Sequence, residues 1–185
     1  MAIGSNGRQR LLDGNAMFRK NIDKSVLSVL AKGQKPLVAI LSCSDSRVSP
    51  ERVFNLSLGE AFIVRVVGNS ASEPSVIGSL EYAVGHLRVQ SLVVLGHTGC
   101  GAVRAVLDGE TPASLSSVVR DIERARYRLP IEHQNDADLI SENNVRIQLR
   151  MIQDNSSAIA RAVNEGKLEL FGAVYDIVTG QVKFI

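Results

Sequence analysis

The two cysteines of the 185-residue chain lie in two short segments of unusual composition. One is Ser42-Cys43-Ser44-Asp45-Ser46-Arg47-Val48, the other Gly96-His97-Thr98-Gly99-Cys100-Gly101. Thiolates and an imidazole suit Zn²⁺, and a tetrahedral set of two Cys and one His leaves one position over. The glycines of the second segment let it turn tightly around an ion. Plainer readings compete at each residue. A single Cys after an apolar strand is commonly a small hydrophobe. Asp45 and Arg47 also suit a turn salt bridge, worth little when exposed. A Cys43–Cys100 disulfide is a further option, disfavoured in a reducing cytoplasm. His86 and His133 read as hydrogen-bonded surface or core residues. Taken jointly the plain readings weaken, because both segments follow apolar runs of strand length.

Those runs define the elements that must position the chemistry. Pro36 precedes Leu37-Val38-Ala39-Ile40-Leu41, a continuous apolar stretch that suits a strand buried on both faces. Residues 61–67 and 91–96 are two more such stretches. Between them, Pro50 opens a short helix through Phe54. Ser72 is a good N-cap, with Glu73 and Pro74 in the first turn of a helix reaching Leu87. Residues 102–107 read as helix, and 112–165 as mainly helical with a break at Pro130. Residues 168–176 and 182–185 flank Thr179-Gly180 as a hairpin. At the N-terminus, Leu11, Leu12, Ala16 and Phe18 mark a helix, and a second over residues 25–31 ends at Gly33. The expectation is an α/β protein: a central, mostly parallel β-sheet flanked by helices, with an N-terminal helical arm and a C-terminal β-hairpin. It reads as one domain, 1–185, whose arm covers 1–33. Ligands of such sheets bind beyond the carboxyl ends of the strands, where both cysteine segments fall.

Composition limits the function classes. At 45% hydrophobic and 22% charged residues the chain can fill a core. A net charge of +2 gives no footing for nucleic acid or an anionic membrane surface. Tryptophan is absent and aromatics are 4%, which disfavours stacking sites for single strands. No apolar run approaches a membrane span, and the polar start has no signal-peptide core. The expectation is a soluble, cytoplasmic protein without nucleic-acid or membrane partners.

The two cysteine segments resemble the two zinc motifs of the β-class carbonic anhydrases, in order and at similar separation. Gly59-Glu60-Ala61-Phe62, Arg65-Val66-Val67-Gly68-Asn69, Ser79-Leu80-Glu81-Tyr82-Ala83 and Gly172-Ala173-Val174-Tyr175-Asp176 resemble further family segments. The resemblance runs from about Gly14 to the C-terminus. It implies Zn²⁺ held by Cys43, His97 and Cys100, and a catalytic Asp45–Arg47 pair. It implies a substrate pocket of Gln34, Phe62, Val67 and Tyr82, lining a cleft at a dimer interface. The implied reaction is reversible hydration of carbon dioxide to bicarbonate and a proton by a zinc-bound hydroxide. The implied assembly is a homodimer or a dimer-based higher oligomer. Asp45 has two implied roles: held by Arg47 it orients the zinc-bound nucleophile, and released it becomes a fourth ligand that closes the site.

One departure bears on that switch. Relatives with a regulatory bicarbonate pocket carry a Trp three residues before the first zinc Cys, where this chain has Ile40. The expectation is therefore a site that keeps its fourth position open, and Gln34 and Phe62 point to the same plant-like subgroup. Two rivals stand beside this reading. One is hydrolysis of carbonyl sulfide or carbon disulfide on the same fold and zinc site. The other is a non-catalytic zinc protein in which Cys43, Asp45, His97 and Cys100 close a structural site, against which Arg47 argues. A dithiol redox protein would need a C-x-x-C motif, which is missing.

Overall fold

Among the described residues, five strands form one sheet: β1 (Val38–Cys43), β2 (Ala61–Val66), β3 (Ser91–His97), β4 (Glu169–Tyr175) and β5 (Val182–Phe184). Their order is β2-β1-β3-β4-β5. The first four run parallel and β5 pairs antiparallel with β4, as the mostly parallel sheet and terminal hairpin required. The computed structural model describes residues 7–185. Residues 1–6, with the polar start of the chain and the first part of the expected arm, lie outside the described residues.

The chain divides into two units, Met1–Gln34 and Lys35–Ile185. The first holds α1 (Gly7–Asn21) and α2 (Lys24–Leu30). Asp23 caps α2, its side chain accepting from the Ser25 N–H at 2.8 Å. Neither helix buries a residue: Leu11, Leu12, Met17, Phe18 and Val29 are all exposed.

The second unit carries the sheet and α3 (Pro50–Val53), α4 (Pro74–Gly85), α5 (Gly101–Asp108), α6 (Ser116–Tyr127), α7 (Ala137–Asn155) and α8 (Ser157–Asn164). The central strands are continuously apolar because their middle residues are buried on both faces. Ala39 and Leu41 join a cluster with Leu80 of α4, Val145 and Ile152 of α7 and Ile159 of α8. Ile40 points to the other face with Val93, Leu95 and Ala173. Burial of each Val, Leu or Ile side chain among them contributes about 1.5–3 kcal/mol. Gly96 lets α7 approach β3: a Cβ there would lie 2.5 Å from Val145 Cγ2.

The entry to α4 departs from the expected Ser72 cap. Glu73 is the N-cap and Pro74 opens the helix, its ring pre-setting a helical φ. Ser72 is drawn instead to Asp121, to which its hydroxyl donates. Asp121 is buried on α6 and also accepts from Ser70 Oγ at 2.7 Å and Gln148 Nε2 at 3.3 Å. Gln148 Oε1 accepts from the Ala71 N–H at 2.7 Å, and Asn144 Nδ2 donates to the Gly68 carbonyl at 2.9 Å. This buried network satisfies polar groups that would otherwise cost about 1–3 kcal/mol each, and it fixes the turn that follows β2.

Candidate metal centre

The strand order places the site. The chain passes from β1 to β2 on one side, then returns across β1 to β3, so the crevice between the carboxyl ends of β1 and β3 is where the winding reverses. Ser42 is in register with Leu95, which sets Cys43 and His97 at neighbouring strand ends. Cys100 follows as the N-cap residue of α5. Gly99 makes the intervening turn with φ +61°, a left-handed conformation that few other residues adopt at low cost.

Cys43, His97 and Cys100 converge so that their ligand atoms all lie within 4.8 Å of one another, and all three residues are buried. Both thiols are free, so no disulfide forms. His97 Nδ1 lies 2.9 Å from the Thr98 carbonyl. A carbonyl only accepts, so Nδ1 carries the proton and Nε2 keeps its lone pair. That Nε2 is buried and has no hydrogen-bond partner among the described residues. A buried orphan acceptor is costly, and one aimed at two thiols is explained by a cation. The three residues can thus hold a metal ion of the soft-ligand type.

Asp45 stands at the rim. Its Oδ2 is 3.9 Å from His97 Nε2. Arg47 grips it through Nε on Oδ1 at 3.0 Å, Nη2 on Oδ2 at 2.7 Å and its backbone N–H on Oδ1 at 2.9 Å. This bidentate guanidinium holds the Asp45 carboxyl well below the usual carboxylate range, against the opposing effect of burial. With protons at the centre, a hydrogen bond between the two sulfurs pulls the Cys43 thiol down and pushes Cys100 up, burial raising both. Burial resists charging of His97, but the negative Cys43 sulfur outweighs it and raises the imidazole. The cluster therefore carries negative charge next to an imidazole, the electrostatics of a cation site.

The expected pocket residues separate. Val67 packs against the cluster that contains Cys43 and Cys100, and with Ser44 it lines a cavity of about 440 Å³. Phe62 pairs in register with Ala39, four residues before Cys43, about 13 Å back along the strand. Tyr82 lies beside it, with ring centres 6.0 Å apart, and stacks on His86 at 4.8 Å. Neither ring reaches the cysteines of its own chain. Gln34 is exposed at the end of the first unit.

Two supporting residues were not anticipated. Arg65 donates from Nε to the Cys43 carbonyl at 3.0 Å and from Nη2 to the Asp45 carbonyl at 2.7 Å, bracing the first loop. A lone Arg inside an apolar strand was the available signal. Asp138 accepts from the Gly99 N–H at 2.7 Å, and nothing in its local sequence marks it.

The carbonic anhydrase family model matches residues 38–182, which span both loops and most of the sheet. The chain is 34% identical to a carbonic anhydrase of Mycolicibacterium smegmatis, over 94% of this chain and 89% of that protein. It is 37% identical to carbonic anhydrase 2 of Mycobacterium tuberculosis, over 82% and 75% of the two chains. Among solved structures, it matches the β-carbonic anhydrase CafA of Aspergillus fumigatus with a TM-score of 0.87 at 26% identity, covering 97% and 91% of the chains. A structure from a study of two tetrameric β-carbonic anhydrases of Sordaria macrospora matches with a TM-score of 0.86 at 26% identity, covering 98% of each. The buried Cys-His-Cys cluster at the β1/β3 crevice and these matches along the chain lead to one assignment: the chain belongs to the β-carbonic anhydrase family.

Proposed function

We propose that the chain catalyses the reversible hydration of carbon dioxide to bicarbonate and a proton, with Zn²⁺ held by Cys43 Sγ, His97 Nε2 and Cys100 Sγ. The observation that carries this reading is the convergence of three buried ligand atoms beside a carboxylate locked by an arginine. Bound there, zinc would acidify a water and so supply a nucleophile at moderate pH. The chain's own residues do the rest. Thr98 fixes the His97 tautomer through its carbonyl. Arg47 keeps Asp45 ionised and turned toward itself, so that Asp45 Oδ2 would be free to accept a hydrogen bond from the nucleophile and not itself act as a ligand. Val67 contributes an apolar wall for a molecule with no charge to bind.

The same engagement of both Asp45 oxygens argues against a closed structural site. An Asp ligand there would have to loosen the grip of Arg47 on its carboxylate to reach the metal. Phe62, Tyr82 and Gln34 are proposed to complete the substrate cleft in an assembled oligomer, since Phe62 and Tyr82 stand away from the cysteines of their own chain. A homodimer or dimer-based oligomer is further supported by the exposed Leu11, Leu12, Met17 and Phe18 of α1. The half-covered apolar sheet face around Phe54, Phe171 and Phe184 supports it as well. Light scattering at micromolar concentration tests this, and a clean monomer contradicts it. No described helix is long and apolar enough to cross a membrane. Two working thiolates fit a reducing cytoplasm. Stopped-flow carbon dioxide hydration on zinc-quantified protein tests the reaction. Sulfide release from carbonyl sulfide or carbon disulfide, measured on the same preparation, tests the substrate rival.

A further inference from the structure

Arg47 is held from two sides. Its Nη2 donates to Asp45 Oδ2 at 2.7 Å and also to the Gly99 carbonyl at 2.9 Å. Gly99 lies between His97 and Cys100, and its own N–H donates to Asp138 Oδ1 at 2.7 Å. A continuous path of hydrogen bonds therefore runs from Asp138 through Gly99 and Arg47 to Asp45. Helix capping does not account for Asp138. Asp136 is the N-cap of α7, accepting from the N–H groups of Asp138 and Leu139 at 3.0 Å each. Asp138 forms no ion pair within 4.0 Å among the described residues and is exposed, and its place in the first turn of α7 suits the helix dipole without requiring the bond to Gly99.

Gly99 has no side chain to fix the peptide planes on either side of it, and its φ is +61°. Those planes can rotate unless something holds them. A carboxylate on the N–H is a strong, charge-assisted anchor. We propose that Asp138 is a positioning residue for the Asp45–Arg47 pair: by holding the Gly99 amide it aims the Gly99 carbonyl at Arg47, and so keeps Arg47 on Asp45. This rests on the reading of that pair given above. Without the anchor the carbonyl swings away, Arg47 loses an acceptor, and Asp45 is freer to compete for the fourth position of the metal.

Azide binding to the cobalt-substituted protein, followed in the visible spectrum, reads that competition without reference to turnover. Loss of one hydrogen bond should raise the azide dissociation constant of Asp138→Ala about 3- to 10-fold at unchanged cobalt content. Asp138→Asn, whose side-chain oxygen still accepts from Gly99, should stay within about twofold of wild type. Arg47→Ala should weaken azide at least as much as Asp138→Ala, and the double variant no more than Arg47→Ala alone. An Asp138→Ala value equal to wild type, with Arg47→Ala weakened, overturns the proposal and leaves the pair intact. An unchanged Arg47→Ala overturns the reading of the pair and the proposal with it. An Asp138→Asn as impaired as Asp138→Ala overturns the acceptor role. If Asp138→Ala loses cobalt, Asp138→Ser takes its place in the same comparison. Absent carbon dioxide hydration in the wild type would strike the proposed reaction, while the azide series still decides on Asp138.

Discussion

The buried cluster and the rim pair of the same site are built in opposite ways. Cys43, His97 and Cys100 are almost fully covered and ride on strand ends and a helix start, so the sheet itself sets their spacing. Asp45 and Arg47 sit in a loop, with 51% of the Arg47 side chain exposed, and are held by hydrogen bonds and their mutual charge. Packing makes a place that can hold a cation without rearrangement of its ligands. Hydrogen bonds make a place that can exist in two arrangements. On the proposed function, the contrast teaches that affinity for the metal and reactivity at the metal are carried by separable parts of one site.

Removal of a cluster residue should have the largest effect. Cys43→Ser or Cys100→Ser should take the metal content from about one per chain to near zero, because a hydroxyl is a poor zinc ligand beside a thiolate. Elemental analysis of reduced, freshly purified protein checks this, and full zinc retention in either variant would merge the two parts that the comparison separates. Arg47→Ala should come next. It should keep zinc yet lower carbon dioxide hydration about 10- to 100-fold, as changes to residues that orient a metal site do. Near-normal rates with full zinc would reduce the pair to a surface salt bridge.

The pH profile sharpens the same division. Arg47 lowers the Asp45 carboxyl below its ordinary 3.8. A carboxyl lowered on folding contributes fully above its ordinary value and is lost only as pH falls through the lowered one, so the pair does not titrate between about pH 6 and pH 9. The profile in that range belongs to the cluster. Two thiolates leave the metal less able to acidify a water than three imidazoles do, so hydration should rise toward alkaline pH. A rate that is fastest at acid pH would contradict this. The smallest effect is expected at Lys183, which pairs with Glu142 at 3.0 Å and is also exposed. Lys183→Ala should shift stability by no more than about 1 kcal/mol and leave zinc and rate alone. A thermal melt with an activity assay checks that exposed charge pairs outside the site lack the role of Asp45–Arg47.

The sequence was most informative where burial is two-sided. Continuous apolar runs at Val38–Cys43 and Ser91–His97 identify central parallel strands, and the residues just past them mark the crevice. The cluster was legible because Cys and His types are rare in this chain and stand at those strand ends. Supporting residues were harder to see. Asp138 and the Asp121–Gln148 network act across long sequence separations and on backbone atoms, which impose no residue pattern of their own. Ser72 shows the same limit, since its local capping preference yields to a distant buried carboxylate. The aromatic pair Phe62–Tyr82 reads from sequence as part of the pocket, yet Phe62 stands at the end of β2 far from the cysteines of its own chain, with Tyr82 of α4 beside it.

Stopped-flow hydration of carbon dioxide by wild-type protein of known zinc content tests the central claim most directly. The account predicts catalysis in proportion to bound zinc, lost when the metal is stripped by a chelator and regained on adding zinc. Protein with one zinc per chain that hydrates carbon dioxide no faster than buffer would contradict it.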